Sequence, residues 1–146
     1  MDDPYDLQRF VTAQEAAGSY DSAVSELRAG RKTGHWMWYV FPQIAGLGQS
    51  PTSRTFAISS LEEARAYLAH PVLGVRIAEC AGILTDLAGR SAEQIFGGLD
   101  ALKLHSSMTL FARAAPEDPR FGAVLERYYG GVADPATDAL VRSTSG

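Results

Sequence analysis

The chain has 146 residues, enough for one domain with a substantial core, since a chain of this size buries roughly two-thirds of its unfolded surface. Its 17 acidic and 13 basic residues sit in an ordinary apolar background, which excludes extended disorder, and a net charge of -4 argues against a binder of phosphate backbones. Cys80 is the single cysteine, so neither an internal disulfide nor a cysteine-based zinc site can form, and a reducing, cytoplasmic setting is expected.

The N-terminal "MDDPYDLQRF" has no basic segment followed by an apolar one, and no apolar run is long enough to span a bilayer, so no leader and no membrane attachment are expected. Asp3-Pro4 predicts a helix start, because Asp caps free first-turn amides and Pro fits the first helical position. Leu7, Phe10, Val11 and Gln14 then share one face, and Tyr20, Ala23, Val24 and Leu27 share another. Arg54 to Ser59, "RTFAIS", is the one stretch that reads as a short extended segment. Ser60 and Glu63, like Ser91 and Gln94, have capping-box spacing, and His70-Pro71 opens a further helix. Leu73, Ile77, Cys80, Leu84 and Leu87 keep the helical period for four turns. Leu104, Met108 and Phe111 repeat it, as do Phe121, Leu125 and Tyr128 after Asp118-Pro119. Asp134-Pro135 starts the last helix, and residues 141–146 are expected to fray. The pattern predicts a single all-α domain over residues 1–146, with about seven to nine helices and little or no sheet.

The stretch "GHWMWYVFPQIAGLG" concentrates the chemistry. Arg31 and Lys32 precede it, next to Arg28 at a helix end where the dipole favours cations, and they are candidates to clamp a phosphate or carboxylate. Trp36 and Trp38 lie two apart, so one is expected in the core and the other in a pocket wall where a planar ring can stack. Tyr39 and Phe41 read as core. His35 is the acid-base candidate, because histidine is the side chain whose charge changes most readily near neutral pH, and Gln43 offers a donor and an acceptor to the edge of a base. The loop "QIAGLGQS" brings backbone amides close to a ligand. A second polar stripe, Asp100, Lys103 and Ser107, lies on one face of a helix, so Asp100 is expected to hold Lys103 at a pocket with Ser106 and Ser107 as further hydrogen bonders. His35, His70 and His105 are scattered, and no P-loop, nucleophile elbow or zinc-protease pattern occurs, so neither metal nor cofactor is expected.

Taken with "DPYDLQRFVTAQ", "SLEEARAYLAHPVLGVRIAEC" and "IFGGLDALKLHSSMTLFA", this stretch resembles an uncharacterised bacterial family that carries a domain-of-unknown-function label and is often called calpastatin-like. The resemblance runs from about Asp3 to Tyr129 and implies an all-α fold. Calpain inhibitors of the calpastatin kind are disordered, whereas this chain is patterned as a compact domain, so that label is set aside. A looser likeness, in general character, is to the mainly helical NADAR-type enzymes, which are associated with cleaving N-glycosidic bonds in ADP-ribose-related or riboflavin-pathway nucleotides.

Two functional expectations follow. The first is a small enzyme that binds a phosphorylated nucleoside-like ligand. Arg31 and Lys32 would hold phosphate, Trp36 or Trp38 would stack, and Gln43, Ser106 and Ser107 would make polar contacts. His35, Asp100 and Lys103 would move protons or stabilise charge during N-glycosidic cleavage. The second is a non-catalytic module that uses residues 35–43 to hold a protein or peptide partner. A concave site where the two motifs converge favours the first, and a flat exposed patch favours the second.

Overall fold

Five of the helices begin where the sequence places a capping oxygen, at Ser50, Ser60, Ser91, Asp118 and Asp134. The structure, a computed structural model that describes residues 3–145 and the side chains of 3–144, contains ten α-helical segments among those residues. In chain order they are α1 (Gln8–Glu15), α2 (Ser19–Ala29), α3 (Met37–Val40), α4 (Pro51–Thr55), α5 (Leu61–Ala69), α6 (Leu73–Asp86), α7 (Ala92–Phe96), α8 (Gly98–Ala114), α9 (Pro119–Tyr129) and α10 (Pro135–Ser145). Seven have eight residues or more, while α3, α4 and α7 are single turns of four or five residues. The fold is all-α. No single helix among the described residues is long and apolar enough to cross a membrane.

Caps explain these boundaries, whereas α2, α3, α6 and α8 start without a side-chain cap. Asp118 accepts from the Arg120 amide at 3.0 Å, and Asp134 accepts from the Thr137 amide at 3.1 Å. Ser91 and Gln94 form the full reciprocal box. At α5 only half the box forms: Ser60 accepts from the Glu63 amide, while the Glu63 carboxylate turns away to the Ser59 amide and hydroxyl. Asp3 also caps, though across a turn, since its carboxylate takes the Leu7 and Gln8 amides at 2.7 and 3.0 Å.

Two expectations change. Arg54 to Ser59 is not extended throughout, because Ser50 and Pro51 start the unforeseen α4, and only Ile58 pairs, in an isolated parallel bridge with Ile44. Helix α10 continues through Ser145 with Val141 buried, rather than ending at 141, and Gly146 lies outside the described residues.

Helix α8 is the axis, packed against α5, α7, α9 and α10, while α6 joins α2, α5 and α9. Leu104, Met108, Leu110 and Phe111 are fully buried, as a central helix requires. Buried Ser106 and Thr109 return their hydroxyls to the carbonyls of Leu102 and His105, but the Ser107 hydroxyl, also buried, has no partner. Cys80 sits in the same core, where burial pushes its thiol up to about 12 and leaves it unreactive at neutral pH.

Candidate functional site

The site starts at the end of α2. Gly30 takes a left-handed conformation that a side chain would strain, so its amide and that of Arg31 fold back onto the carbonyls of the last turn. The chain then wraps around Glu26, whose Oε1 accepts from the Thr33 amide, the Gly34 amide and the Trp36 indole N–H at 2.7, 2.8 and 2.9 Å. Burial pushes this carboxyl up, but the two amides and the indole outweigh it and hold the group below its ordinary value.

This wrapping sends the two tryptophans to different places. Trp36 is 2% exposed and packs against Phe41 and Phe96, so it is core and not a ligand wall. Trp38, two residues further on and inside α3, is half-buried and lines a cleft. The expected split is observed, and the structure assigns its members.

The two motifs converge through one carboxylate. Asp100, in the first turn of α8, pairs with Lys32 at 2.8 Å through Oδ2 and with Lys103 at 3.3 Å through Oδ1. Lys32 is only 8% exposed, also donates to the Gly34 carbonyl, and lies 5.0 Å from the centre of the Trp36 ring. Lys103 is more open and lies 4.7 Å from the Trp38 ring centre. Two ammonium groups share one carboxylate, so this cluster carries one surplus positive charge, and Lys103 presents it to the cleft.

The cleft has two compartments. The smaller, of about 190 Å³, is walled by Trp38, Phe56, Ile44 and Ala57, with Arg54 at its side. The larger, of about 340 Å³, is lined by Lys103, His105, Ser106, Asp134 and the apolar Leu99 and Leu102. Gln43, Gly48 and Ser53 line both and form the waist between them. Gly48 is required there, because a Cβ would stand 2.4 Å from the Ser53 Cβ. On the floor, Asp134 Oδ2 accepts from Ser106 Oγ at 3.2 Å and Thr137 Oγ1 at 2.6 Å while capping α10. His105 lies stacked on Tyr129, ring centres 4.1 Å apart, and its Nε2 meets the Val132 carbonyl at 2.7 Å, which fixes the proton on that nitrogen.

Of the residues predicted to form a site, Lys103, Trp38, Gln43 and Ser106 come together at the cleft. Lys32 and Asp100 stand behind Lys103 as supports, not as a phosphate clamp and a free acid. His35 is exposed and belongs to neither compartment. The reason is local: the Glu26 bonds pull Gly34 and Trp36 inward, and the residue between them is turned out. Arg31 is likewise exposed, and Ser107 faces the core. Sequence reading missed Ser53, Arg54, His105 and Asp134 as cleft residues. Asp134 had been visible only as a cap, and Ser50-Pro51 was the signal for the helix that carries Ser53 and Arg54.

No curated protein matches the chain. Among solved structures, the conserved hypothetical protein Rv1873 from Mycobacterium tuberculosis is similar, at 58% identity and a TM-score of 0.92, over 96% of this chain and 99% of that one. A family described as "Protein of unknown function (DUF1810)" matches residues 4–141, from the turn before α1 to the last buried side chain of α10, and the chain belongs to that family.

Proposed function

We propose that the cleft binds a small phosphorylated, nucleoside-like compound, with hydrolysis of its N-glycosidic bond as the reaction class. The observation that carries this reading is the Lys103 ammonium, held by Asp100 beside the Trp38 ring at the mouth of a two-compartment cleft. Trp38 and Phe56 offer flat walls to a heterocycle, and the Gln43 amide at the waist can read its edge. Lys103 and Arg54 supply the charge that attracts phosphate. Asp134 is the carboxylate at the floor, and the bonds it makes there fall on Oδ2, leaving Oδ1 to face a developing oxocarbenium ion. In such a hydrolysis water adds its oxygen to the anomeric carbon, the C–N bond pair leaves with the base, and the water's proton ends on that base or on solvent. The buried, unreactive thiol suits the cytoplasmic setting proposed with this role.

A second reading has its own observation. Leu99 and Leu102, which line the larger compartment, are 78% and 65% exposed, and such a rim suits a peptide or protein partner.

Thermal unfolding in the presence of AMP, ADP-ribose, ribose 5-phosphate and adenine tests the first reading. A ligand at a hundred times its dissociation constant adds about 2.7 kcal/mol of stability. The expected result is a saturable shift with the phosphorylated nucleosides, lost in Lys103→Ala, followed by chromatographic detection of released base. No shift with any of the four, or a shift indifferent to both Lys103→Ala and Gln43→Ala, overturns it.

A further inference from the structure

Behind the smaller compartment lies a polar assembly that takes no part in the site described above. Arg9, on α1, places all five guanidinium N–H groups: Nε on the Thr55 carbonyl at 2.8 Å, one terminal nitrogen on the Tyr5 and Asp6 carbonyls at 2.5 and 2.8 Å, and the other on the Ala57 carbonyl and Glu63 Oε2, both at 2.9 Å. Its plane also rests on the Phe10 ring, 4.3 Å from the centre. Glu63 is almost fully buried, and its other oxygen takes the Ser59 amide and hydroxyl at 2.9 and 2.8 Å. The pair therefore grips residues 55 to 59 from both ends.

That segment is the wall of the smaller compartment. Phe56 and Ala57 line it directly. Ile58, one residue on, donates its amide to the Gln43 carbonyl and accepts from the Ala45 amide, both at 2.8 Å. The position of the Gln43 backbone is thus tied through Ile58 to a guanidinium on the far side of the wall. A lysine has no planar fork and cannot meet five acceptors. An apolar residue would take the donor away from four carbonyls and strip the buried Glu63 Oε2 of its cation.

We infer that Arg9, with Glu63 behind it, is a positioning residue of the cleft: it touches no ligand, and it sets the register of Phe56, Ala57 and Gln43. The assignment rests on the reading of the cleft as a binding site, but the order it imposes on the loop is measurable without any ligand.

Two variants and two readouts test it. Arg9→Lys keeps the charge and loses the fork, and Ser59→Ala removes one hydrogen bond of the same assembly with less risk to folding. In the free protein, amide exchange at Ala45 and Ile58 is expected to accelerate by about tenfold or more in Arg9→Lys, beyond any change at core amides of α8, with a smaller effect of the same pattern in Ser59→Ala. With AMP as the probe, affinity is expected to fall by about tenfold in Arg9→Lys, while the protein remains folded by circular dichroism. Exchange at Ala45 and Ile58 that rises no more than in α8, in both variants, makes Arg9 a general stabiliser and overturns the inference. So does unchanged AMP affinity in a variant with a loosened loop. Failure of the unmodified protein to bind AMP counts against the nucleotide reading alone, and the exchange measurement still decides what Arg9 does.

Discussion

Two halves of this molecule are held by different forces. Around Phe111 the rings of Tyr67 and Phe121 lie at 5.3 and 5.7 Å, Cys80, Leu104 and Val124 are fully buried, and order comes from packed apolar surface. Around Trp38 order comes from single polar groups with several partners each: Glu26 with two amides and an indole, Asp100 with two lysines, Arg9 with five acceptors. Apolar packing spreads its energy over many contacts, whereas a hub concentrates it in one side chain. The first kind of order tolerates conservative change and the second does not.

The contrast can be broken most forcefully in the core. Phe111→Ala is expected to lower stability by about 3–5 kcal/mol in urea unfolding, because a large buried ring leaves a cavity. A loss below that range would mean the core relaxes as a loop does. Next comes Asp100→Ala, which strands the nearly buried Lys32 ammonium and should cost about 2–3 kcal/mol. Adding Lys32→Met in the same chain should recover about half of it. If the double variant is no better than the single one, Lys32 and Asp100 are not coupled and Asp100 is not a hub.

A smaller effect sharpens the same point through pH. The Glu26 carboxyl lies below its ordinary value of 4.5 in the folded chain, so its contribution is complete above that value and disappears as pH falls through the depressed one. Glu26→Gln is therefore expected to be less stable by about 1 kcal/mol at neutral pH, with the gap closing on acidification. A gap that stays constant down to the acid transition would show that hydrogen-bond geometry alone, not charge, holds the 33–36 turn. The smallest effect belongs to His35→Ala, which should change stability by no more than ~0.5 kcal/mol and leave AMP binding untouched. Any clear loss of binding would return His35 to the site.

What could be read in advance follows the same division. Helix starts at Ser91, Asp118 and Asp134 were legible because a cap is decided within four residues, and the buried faces of α6 and α8 because burial repeats with the helical period. The convergence of Lys103 with the aromatic stretch was legible in part, since Asp100 and Lys103 are neighbours on one helix face. Their link to Lys32 was not, because it depends on how far the turn around Glu26 carries the chain. The outward position of His35 was not legible for the same reason. Arg9 gave no local sign and Glu63 read only as a capping-box partner of Ser60; their joint role appears only when α1, α5 and residues 55–59 are brought together.

Gly48, Ser53 and Gln43 belong to both compartments, and the glycine meets the serine with no room for one more carbon. Neither chamber can be enlarged or narrowed at that point without deforming the other. Under the proposed binding role, variation that retunes ligand choice would be confined to the two ends, near Arg54 and Phe56 on one side and Leu102 and Asp134 on the other. The middle acts as a shared hinge-pin of shape, and under that role a new preference would arise by changing one end while the other kept the part of the proposed ligand left unaltered.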